Sequence, residues 1–184
     1  VPNVLAALAV GLEIGLAPEQ ISAGLATYEP DAGRCCVQRV GAWTVIDDTY
    51  NSSPAAVTAA IRTAEEFTDC RHRVLVLNDM LDLGDQAADL HFGMGVALAV
   101  SRLDHIVVTG DYAADVVEGF LSKGGALNRI SCFARLDLLI TMLDCLLCDN
   151  DLVVVKGSRA TRMEQVVEAL RRLSSADVPE RIAA

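Results

Sequence analysis

The spacing of apolar residues along this chain changes once. Apolar positions first recur at helical intervals, in two stretches near residues 3–14 and 18–27. A proline and a glycine in "YEPDAGR" then interrupt the pattern, and short apolar runs of strand length begin to alternate with longer amphipathic segments. The sequence therefore predicts a helical segment over residues 1–32, followed by a second domain over residues 33–184.

The second domain is predicted to alternate strands and helices. Strands are expected near residues 35–40, 44–48, 74–78, 105–109, 130–133 and 152–156. Helices are expected near residues 54–67, 87–101, 112–122, 135–148 and 163–173. Such alternation is typical of a doubly wound α/β fold, with a mostly parallel sheet that helices cover on both faces. The first two strands are joined by a short turn at Gly41, so they must be antiparallel. The last residues, "SSADVPERIAA", are expected to fray.

The stretch "VIDDTYNSSP" places charge at the tip of an apolar strand. Residues 45–46 have the pattern of a buried strand, and Asp47 and Asp48 follow at its carboxyl end. Ser53, followed by proline, is typical of a helix N-cap. In open parallel sheets, the loops after the strands bind ligands. Acids and serines are also ordinary loop residues, so the stretch alone leaves a functional and a structural interpretation open.

Polar side chains follow other predicted strands in the same way. They are Tyr50 and Asn51, Asn78 and Asp79, the "TGD" after the fourth strand, and Lys156, Ser158 and Arg159. Parallel strands share a carboxyl end, so these groups are expected to converge on one edge of the sheet. Lys156 has two interpretations. It is either a solvated charge or, beside Gly157, part of a site where backbone N–H groups approach an anion.

The composition limits which partners the protein could bind and where in the cell it is expected. The chain has 184 residues, of which 52% are hydrophobic, so it can bury a core. Its net charge of -10 opposes nucleic-acid binding, but a few cations can still hold a small anion locally. No apolar run is long enough for a membrane span and no signal peptide precedes it, so a cytoplasmic protein is expected. Because the chain opens in a helical pattern without Met, an excised fragment is also expected.

The six cysteines are expected to be free, buried thiols, since a chain with a good core needs no disulfides. Cys145 and Cys148 form a CxxC within a leucine-rich helical pattern, which favours core packing over redox or metal chemistry. The histidines lack metal-ligand spacing, so no metal site is expected. The chain also lacks GxxxxGK[ST] and GxGxxG phosphate loops and a Ser/His/Asp elbow.

Four separated motifs resemble the Mur ligases of peptidoglycan synthesis. They are "YEPDAGR", "GAWTVIDDTYNSSPAAVTAAI", "LNDMLDLGDQAADLHFGMG" and "LVVVKGSRATRMEQVVEAL". Within the family, the closest type joins D-alanyl-D-alanine to UDP-N-acetylmuramoyl-tripeptide. The resemblance implies that residues 1–32 end a central ATPase domain and that residues 33–184 form a complete, Rossmann-like C-terminal domain.

The resemblance also implies the chemistry of the whole enzyme. It would be an ATP-dependent amide ligase that activates a carboxylate as an acyl phosphate. The phosphate loop and most ligands of Mg²⁺ would lie upstream, so this fragment alone is expected to be inactive.

Several residues of this chain match positions that the family uses. Asp48 would bind the ribose of ATP, Arg34 a phosphate, and Asn3, Tyr50 and Asn51 would lie by the adenine. The residues that would face the incoming D-alanyl-D-alanine are Lys156, Ser158 and Arg159. The resemblance assigns no catalytic residue and no metal ligand to this part of the enzyme.

The chain departs from the family pattern at three places, and two other interpretations remain open. "NDM", "DLG" and "YNSSP" stand where the family usually has GDM, ELG and YNANP. One alternative is another ligase of the superfamily, such as the folylpolyglutamate type. The other is a phosphoacceptor receiver domain, whose acids, threonine and lysine are mimicked by Asp47, Asp48, Asp79, Thr109 and Lys156. The N-terminal helices and the "YNSSP" loop have no place in a receiver.

Overall fold

The computed structural model describes residues 2–175. Of the tail that was expected to fray, Ser174 and Ser175 belong to the last helix, and residues 176–184 lie outside the described range. The chain forms two compact units, Val1–Asp31 and Ala32–Ala184. The first unit consists of α1 (Pro2–Glu13) and α2 (Pro18–Ala26). Ile21 of α2 is buried, whereas many apolar side chains of this unit are exposed: Val4, Leu5, Leu8, Val10, Leu12, Ile14 and Leu16.

The second unit contains a six-stranded sheet with the order β1-β2-β6-β3-β4-β5. Its strands are β1 (Cys36–Val40), β2 (Trp43–Asp48), β3 (Arg73–Leu77), β4 (His105–Thr109), β5 (Ile130–Phe133) and β6 (Leu152–Lys156). Its helices are α3 (Pro54–Glu66), α4 (Ala87–Ala99), α5 (Ala113–Ser122), α6 (Leu136–Leu146) and α7 (Glu164–Ser175). Among the strand pairs that the structure describes in residues 2–175, only β1–β2 is antiparallel. The predicted doubly wound, mostly parallel fold is therefore confirmed.

Helices cover both faces of this sheet because its central strands are apolar on both sides. Along β6, Val154 packs in a core with α3, α4 and α5, whereas Val153 and Val155 pack in a second core with α6 and α7. This alternation follows from the two-residue period of a strand. Among the described helices, none combines the length and apolar character that a membrane crossing requires.

Two glycines let α4 and α5 pack with their backbones in close contact. A Cβ at Gly95 would lie 2.0 Å from the carbonyl oxygen of Val116, and one at Gly119 would lie 2.0 Å from that of Phe92. Side chains at either position would force the helices apart. Gly95, the second glycine of the "LHFGMG" stretch, therefore has a packing role in this fold.

The expected burial of the cysteines is partly wrong. All six are free thiols, but Cys35, Cys132 and Cys145 are exposed. Helix α6 buries Leu139 and Leu143 on its inner face, which turns Cys145 toward solvent. The helix ends at Leu146, so Cys148 lies in the following loop and not in the predicted helix.

Candidate functional site

The carboxyl ends of β2 and β6 lie side by side and carry an ion pair. Asp48 and Lys156 are register partners in the sheet. The Lys156 Nζ lies 3.0 Å from Asp48 Oδ2, and it also donates to the backbone carbonyls of Asp48 and Asn51. Lys156 is 1% exposed. Its interpretation as a solvated charge is therefore wrong, because its ammonium is held by the loop that follows β2.

Asp48 connects three segments of the chain and still reaches solvent. Its Oδ1 accepts a hydrogen bond of 3.1 Å from the backbone N–H of Cys35, just before β1. Its Oδ2 faces Lys156, and the side chain remains 23% exposed. Each carboxylate oxygen has two lone pairs, so Asp48 can accept further hydrogen bonds from a ligand.

A tyrosine and two arginines lie beside this ion pair. The guanidinium carbon of Arg34 lies 3.8 Å from the ring centroid of Tyr50, and that of Arg159 lies 5.7 Å from the same centroid. Both arginines are exposed. The edge therefore presents an aromatic face flanked by two permanent positive charges, within a protein of net charge -10.

A glycine turn positions Arg34 over the ring. The carbonyl of Gly33 accepts a 2.9 Å hydrogen bond from the backbone N–H of Tyr50. Gly33 has φ +74, and a Cβ there would lie 3.1 Å from both the Tyr50 nitrogen and the Thr49 hydroxyl. Only glycine fits this left-handed turn without strain, so the sequence "GR" places the guanidinium beside the loop after β2.

The next loops of the same edge are joined by a buried carboxylate. Asp79 accepts hydrogen bonds from the backbone N–H groups of Asp111 (2.7 Å) and Tyr112 (3.1 Å). The hydroxyl of Ser158 donates to the backbone carbonyl of Asp79 at 3.3 Å. Asp79 is 7% exposed and its carboxylate is committed to the β4–α5 loop, which opposes a role as phosphoacceptor.

His91 supports this arrangement, and its role was not predicted from the sequence. Its Nε2 accepts a 2.9 Å hydrogen bond from the Met80 backbone N–H, and its Nδ1 lies 2.7 Å from the Ala87 carbonyl. Because a carbonyl only accepts, the ring carries its proton on Nδ1. The ring also stacks on Tyr112, with centroids 4.7 Å apart. The available signal in the sequence was a single histidine within the apolar pattern of the predicted helix over residues 87–101.

The structure separates the predicted site residues into three groups. Arg34, Asp48, Tyr50 and Asn51 gather around the end of β2, together with Arg159 from the loop after β6. Lys156 and Ser158 are buried with internal partners, at 1% and 3% exposure. Asn3 lies exposed on α1, in the first unit.

The environment of Cys35 shows the electrostatic character of this edge. Its thiol lines a mainly apolar cavity with Asp48 and the alanines of α3. Burial raises the pKa of the Cys35 thiol, the charge of Asp48 raises it further, and Lys156 acts in the opposite direction. The thiol is therefore held in its protonated, less nucleophilic form.

Comparison with known proteins identifies the domain. The sequence profile of a family described as Mur ligase, glutamate ligase domain, matches residues 33–159. The chain belongs to the Mur ligase family. The match includes every predicted site residue of the second unit, from Arg34 to Arg159.

Several curated relatives of this chain carry the same name. The UDP-N-acetylmuramoyl-tripeptide--D-alanyl-D-alanine ligases of Bacillus subtilis (strain 168) and Escherichia coli (strain K12) are 30% and 31% identical to this chain. These alignments cover 92% and 93% of the chain but only 37% and 36% of the relatives. The chain thus spans little more than a third of the length of these curated relatives.

Solved structures agree with the sequence relatives. A crystal structure of MurF from Acinetobacter baumannii superposes with a TM-score of 0.79 and 30% identity, covering 92% of this chain and 37% of that one. A folylpolyglutamate synthase from Thermotoga maritima reaches a TM-score of 0.50 at 14% identity, which shows a shared fold alone. The comparisons therefore favour the MurF type over the folylpolyglutamate type.

Proposed function

We propose that this chain is part of an ATP-dependent ligase that joins D-alanyl-D-alanine to UDP-N-acetylmuramoyl-tripeptide. Residues 1–32 would end its central ATPase domain, and residues 33–184 would be its C-terminal domain. The proposal depends on the side chains found at the carboxyl end of β2 in this Mur-family domain. There, a partly open carboxylate lies beside an aromatic ring with two arginines.

Asp48 has the properties required of a ribose ligand. Ribose hydroxyls donate hydrogen bonds, and Asp48 keeps acceptor capacity on a side chain that reaches solvent. Its orientation is fixed by Lys156 on one oxygen and by the Cys35 N–H on the other. We infer that Lys156 is a positioning residue for Asp48 and not itself a ligand for the incoming dipeptide.

Arg34 and Tyr50 suit the remaining parts of a nucleotide. A guanidinium can hold two phosphate oxygens with parallel N–H groups. Stacking on Tyr50 limits the motion of Arg34, so less side-chain entropy is lost when a phosphate binds. The exposed ring of Tyr50 and the amide of Asn51 would lie next to the adenine.

Arg159 is the strongest candidate for the carboxylate of D-alanyl-D-alanine. It is exposed, it follows β6, and its charge faces the same ring as Arg34. Ser158 holds the Asp79 loop from the inside and would support this contact indirectly. When bound, ATP would supply the phosphoryl group that activates the substrate carboxylate. The phosphate loop and the Mg²⁺ ligands would belong to the parts of the relatives that this chain does not span.

A domain exchange tests the function. The matching segment of the Bacillus subtilis relative is replaced by this chain, and ADP release is measured with D-alanyl-D-alanine or with glutamate as acceptor. Stimulation by D-alanyl-D-alanine alone supports the proposal. Stimulation by glutamate alone contradicts it and favours the folylpolyglutamate type.

A binding experiment on the chain itself covers the case in which the exchanged enzyme is inactive. ATP is titrated into the 184-residue chain and followed by NMR. A partial site must still offset the entropy of association, so we expect millimolar or weaker affinity and no ATP hydrolysis. The shifted resonances should be those of Arg34 and residues 47–51. Shifts confined to other parts of the second unit would contradict the nucleotide site.

A further inference from the structure

The amino edge of the sheet carries a cluster of side chains that the proposed ligase reaction does not use. His72 lies immediately before β3, while Cys148 and Asp151 belong to the loop between α6 and β6. One ring nitrogen, the thiol sulfur and one carboxylate oxygen from these residues all lie within 4.8 Å of one another. The edge is opposite to the one that carries Asp48, because it precedes the parallel strands.

The backbone that carries the three groups is fixed by hydrogen bonds. The Leu152 N–H donates to the His72 carbonyl at 2.8 Å, and the Arg71 N–H donates to the Asn150 carbonyl at 2.8 Å. Asn150 in turn donates to the Ala42 carbonyl at 2.9 Å. The two loops are therefore tied together, and the three side chains are held near one point before any ligand arrives.

Asp151 is the buried centre of the cluster. It is 1% exposed, and its Oδ1 lies 2.9 Å from His72 Nδ1. Backbone N–H groups orient the carboxylate, with His72 donating to Oδ1 at 3.1 Å and Cys148 donating to Oδ2 at 2.8 Å. Such second-layer hydrogen bonds are what fixes the ligands of protein metal sites.

The three donors form a mixed nitrogen, sulfur and oxygen set. Imidazole, thiolate and carboxylate are the protein ligands of Zn²⁺, at bond lengths of about 2.0 to 2.3 Å in a tetrahedron. Those bond lengths place neighbouring ligand atoms roughly 3.3 to 3.8 Å apart, so the cluster needs movements of only about 1 Å to close on an ion. The side chain of His72 is 40% exposed, which leaves an open side for a water as the fourth ligand.

We propose that His72, Cys148 and Asp151 form a binding site for a zinc-like divalent cation. On binding, the Cys148 thiol loses its proton to solvent and the sulfur becomes a thiolate ligand. The ring proton of His72 moves from Nδ1 to Nε2, so that the Nδ1 lone pair binds the ion in place of the hydrogen bond to Asp151. The sequence did not predict this site, because its ligands come from loops 79 residues apart.

A purely structural role for the cluster makes a different prediction. As a structural link, Asp151 needs only the two backbone N–H groups and the imidazole, and the Cys148 thiol has no part in it. As a metal site, the thiol is essential. Cys145 provides a matched control, since it belongs to the same CxxC but is exposed on α6 and outside the cluster.

Cobalt substitution on the 184-residue chain separates the two roles. The reduced chain is freed of metal with a chelator and titrated with Co²⁺, and thiolate-to-cobalt charge-transfer absorption is recorded. We expect this absorption in the unchanged chain and in Cys145→Ser, its loss in Cys148→Ser, and its displacement by equimolar Zn²⁺. His72→Gln should weaken Co²⁺ binding by at least about tenfold, since even second-layer changes cost 10- to 100-fold.

Circular dichroism provides the folding control for these variants. Cys148→Ser and His72→Gln keep the hydrogen bonds of Asp151 to the backbone, so both should remain folded. Absence of the charge-transfer absorption in the unchanged chain would overturn the site. So would equal absorption in Cys148→Ser and Cys145→Ser.

Discussion

The two edges of the sheet both hold a carboxylate between distant segments, but in different states. At the carboxyl edge, Asp48 faces the ammonium of Lys156 and keeps 23% of its side chain exposed. At the amino edge, Asp151 is 1% exposed and is satisfied by two backbone N–H groups and an imidazole. One carboxylate is oriented but open, whereas the other is enclosed.

The difference in exposure suits the two carboxylates to different roles. An oriented carboxylate with remaining acceptor capacity can bind a hydroxyl-bearing ligand, which agrees with the proposed contact between Asp48 and ribose. An enclosed carboxylate can bind a ligand only if its neighbours rearrange, as in the proposed site, where a cation replaces the hydrogen bond between His72 and Asp151. Variants at each edge can test how far the two carboxylates differ in role.

The largest loss of stability is expected for Lys156→Met. This change removes the positive charge that faces Asp48 and puts a buried, apolar methionine in its place. Removing one partner of a buried ion pair costs 3 to 5 kcal/mol, and the partial exposure of Asp48 reduces this to about 2 to 4 kcal/mol of unfolding free energy. Urea unfolding measures the loss. The double variant Asp48→Asn with Lys156→Met should recover at least half of it, because no unpaired charge remains. No recovery would show that packing, and not charge, is what Lys156 provides.

A smaller loss is expected at the amino edge for Asp151→Asn. The asparagine side chain has one acceptor oxygen, and its NH₂ group can only donate. One of the two backbone N–H groups, of His72 or Cys148, would therefore face another donor. An unsatisfied buried group of this kind costs about 1 to 3 kcal/mol. The control is Asp149→Asn, an exposed position two residues away, which should change stability by less than about 0.5 kcal/mol. Equal effects from both variants would mean that Asp151 is not the structural centre of this edge.

The smallest effect is expected in the reactivity of Cys35. Burial and the charge of Asp48 raise the pKa of its thiol, so less of it is thiolate near pH 8. Alkylation of Cys35 should therefore be slow near pH 8, and it should accelerate as the pH rises toward the raised pKa. In Asp48→Asn, one cause of the shift is removed, and Cys35 should react faster at pH 8. Mass spectrometry of the alkylated peptides measures both rates. An unchanged Cys35 rate in Asp48→Asn would contradict the assigned electrostatic cause.

Local and periodic features of the fold could be predicted from the sequence. The N-cap is an example, since Ser53 accepts the N–H of Ala56 at 3.3 Å as its position before Pro54 suggested. The antiparallel first strand was predicted from the short turn at Gly41. The parallel strands were predicted because strand-like and helix-like spacings of apolar residues alternate along the chain. These features depend on residues that are neighbours in the sequence or on the regular spacing of apolar residues, and both can be read from the sequence.

Features that depend on register or on distant contacts could not be predicted. Lys156 lies opposite Asp48 only because β6 inserts between β2 and β3, and no local pattern fixes that order. The link between His72 and Asp151 arises in the same way from the adjacent starts of β3 and β6. The early end of α6 was also missed, because the leucine pattern continues through Leu147 while the helix stops at Leu146.

The most direct test of the central claim is the ATP dependence of Asp48→Ala in the exchanged enzyme described above. A hydrogen bond from ribose to a charged acceptor contributes about 1.5 to 3 kcal/mol, so the KM for ATP should rise roughly tenfold to a hundredfold. The KM for D-alanyl-D-alanine should stay within about twofold of the unchanged value, since the proposed contact involves the nucleotide alone. A KM for ATP within about twofold of the unchanged enzyme would contradict the assignment of this edge to the nucleotide.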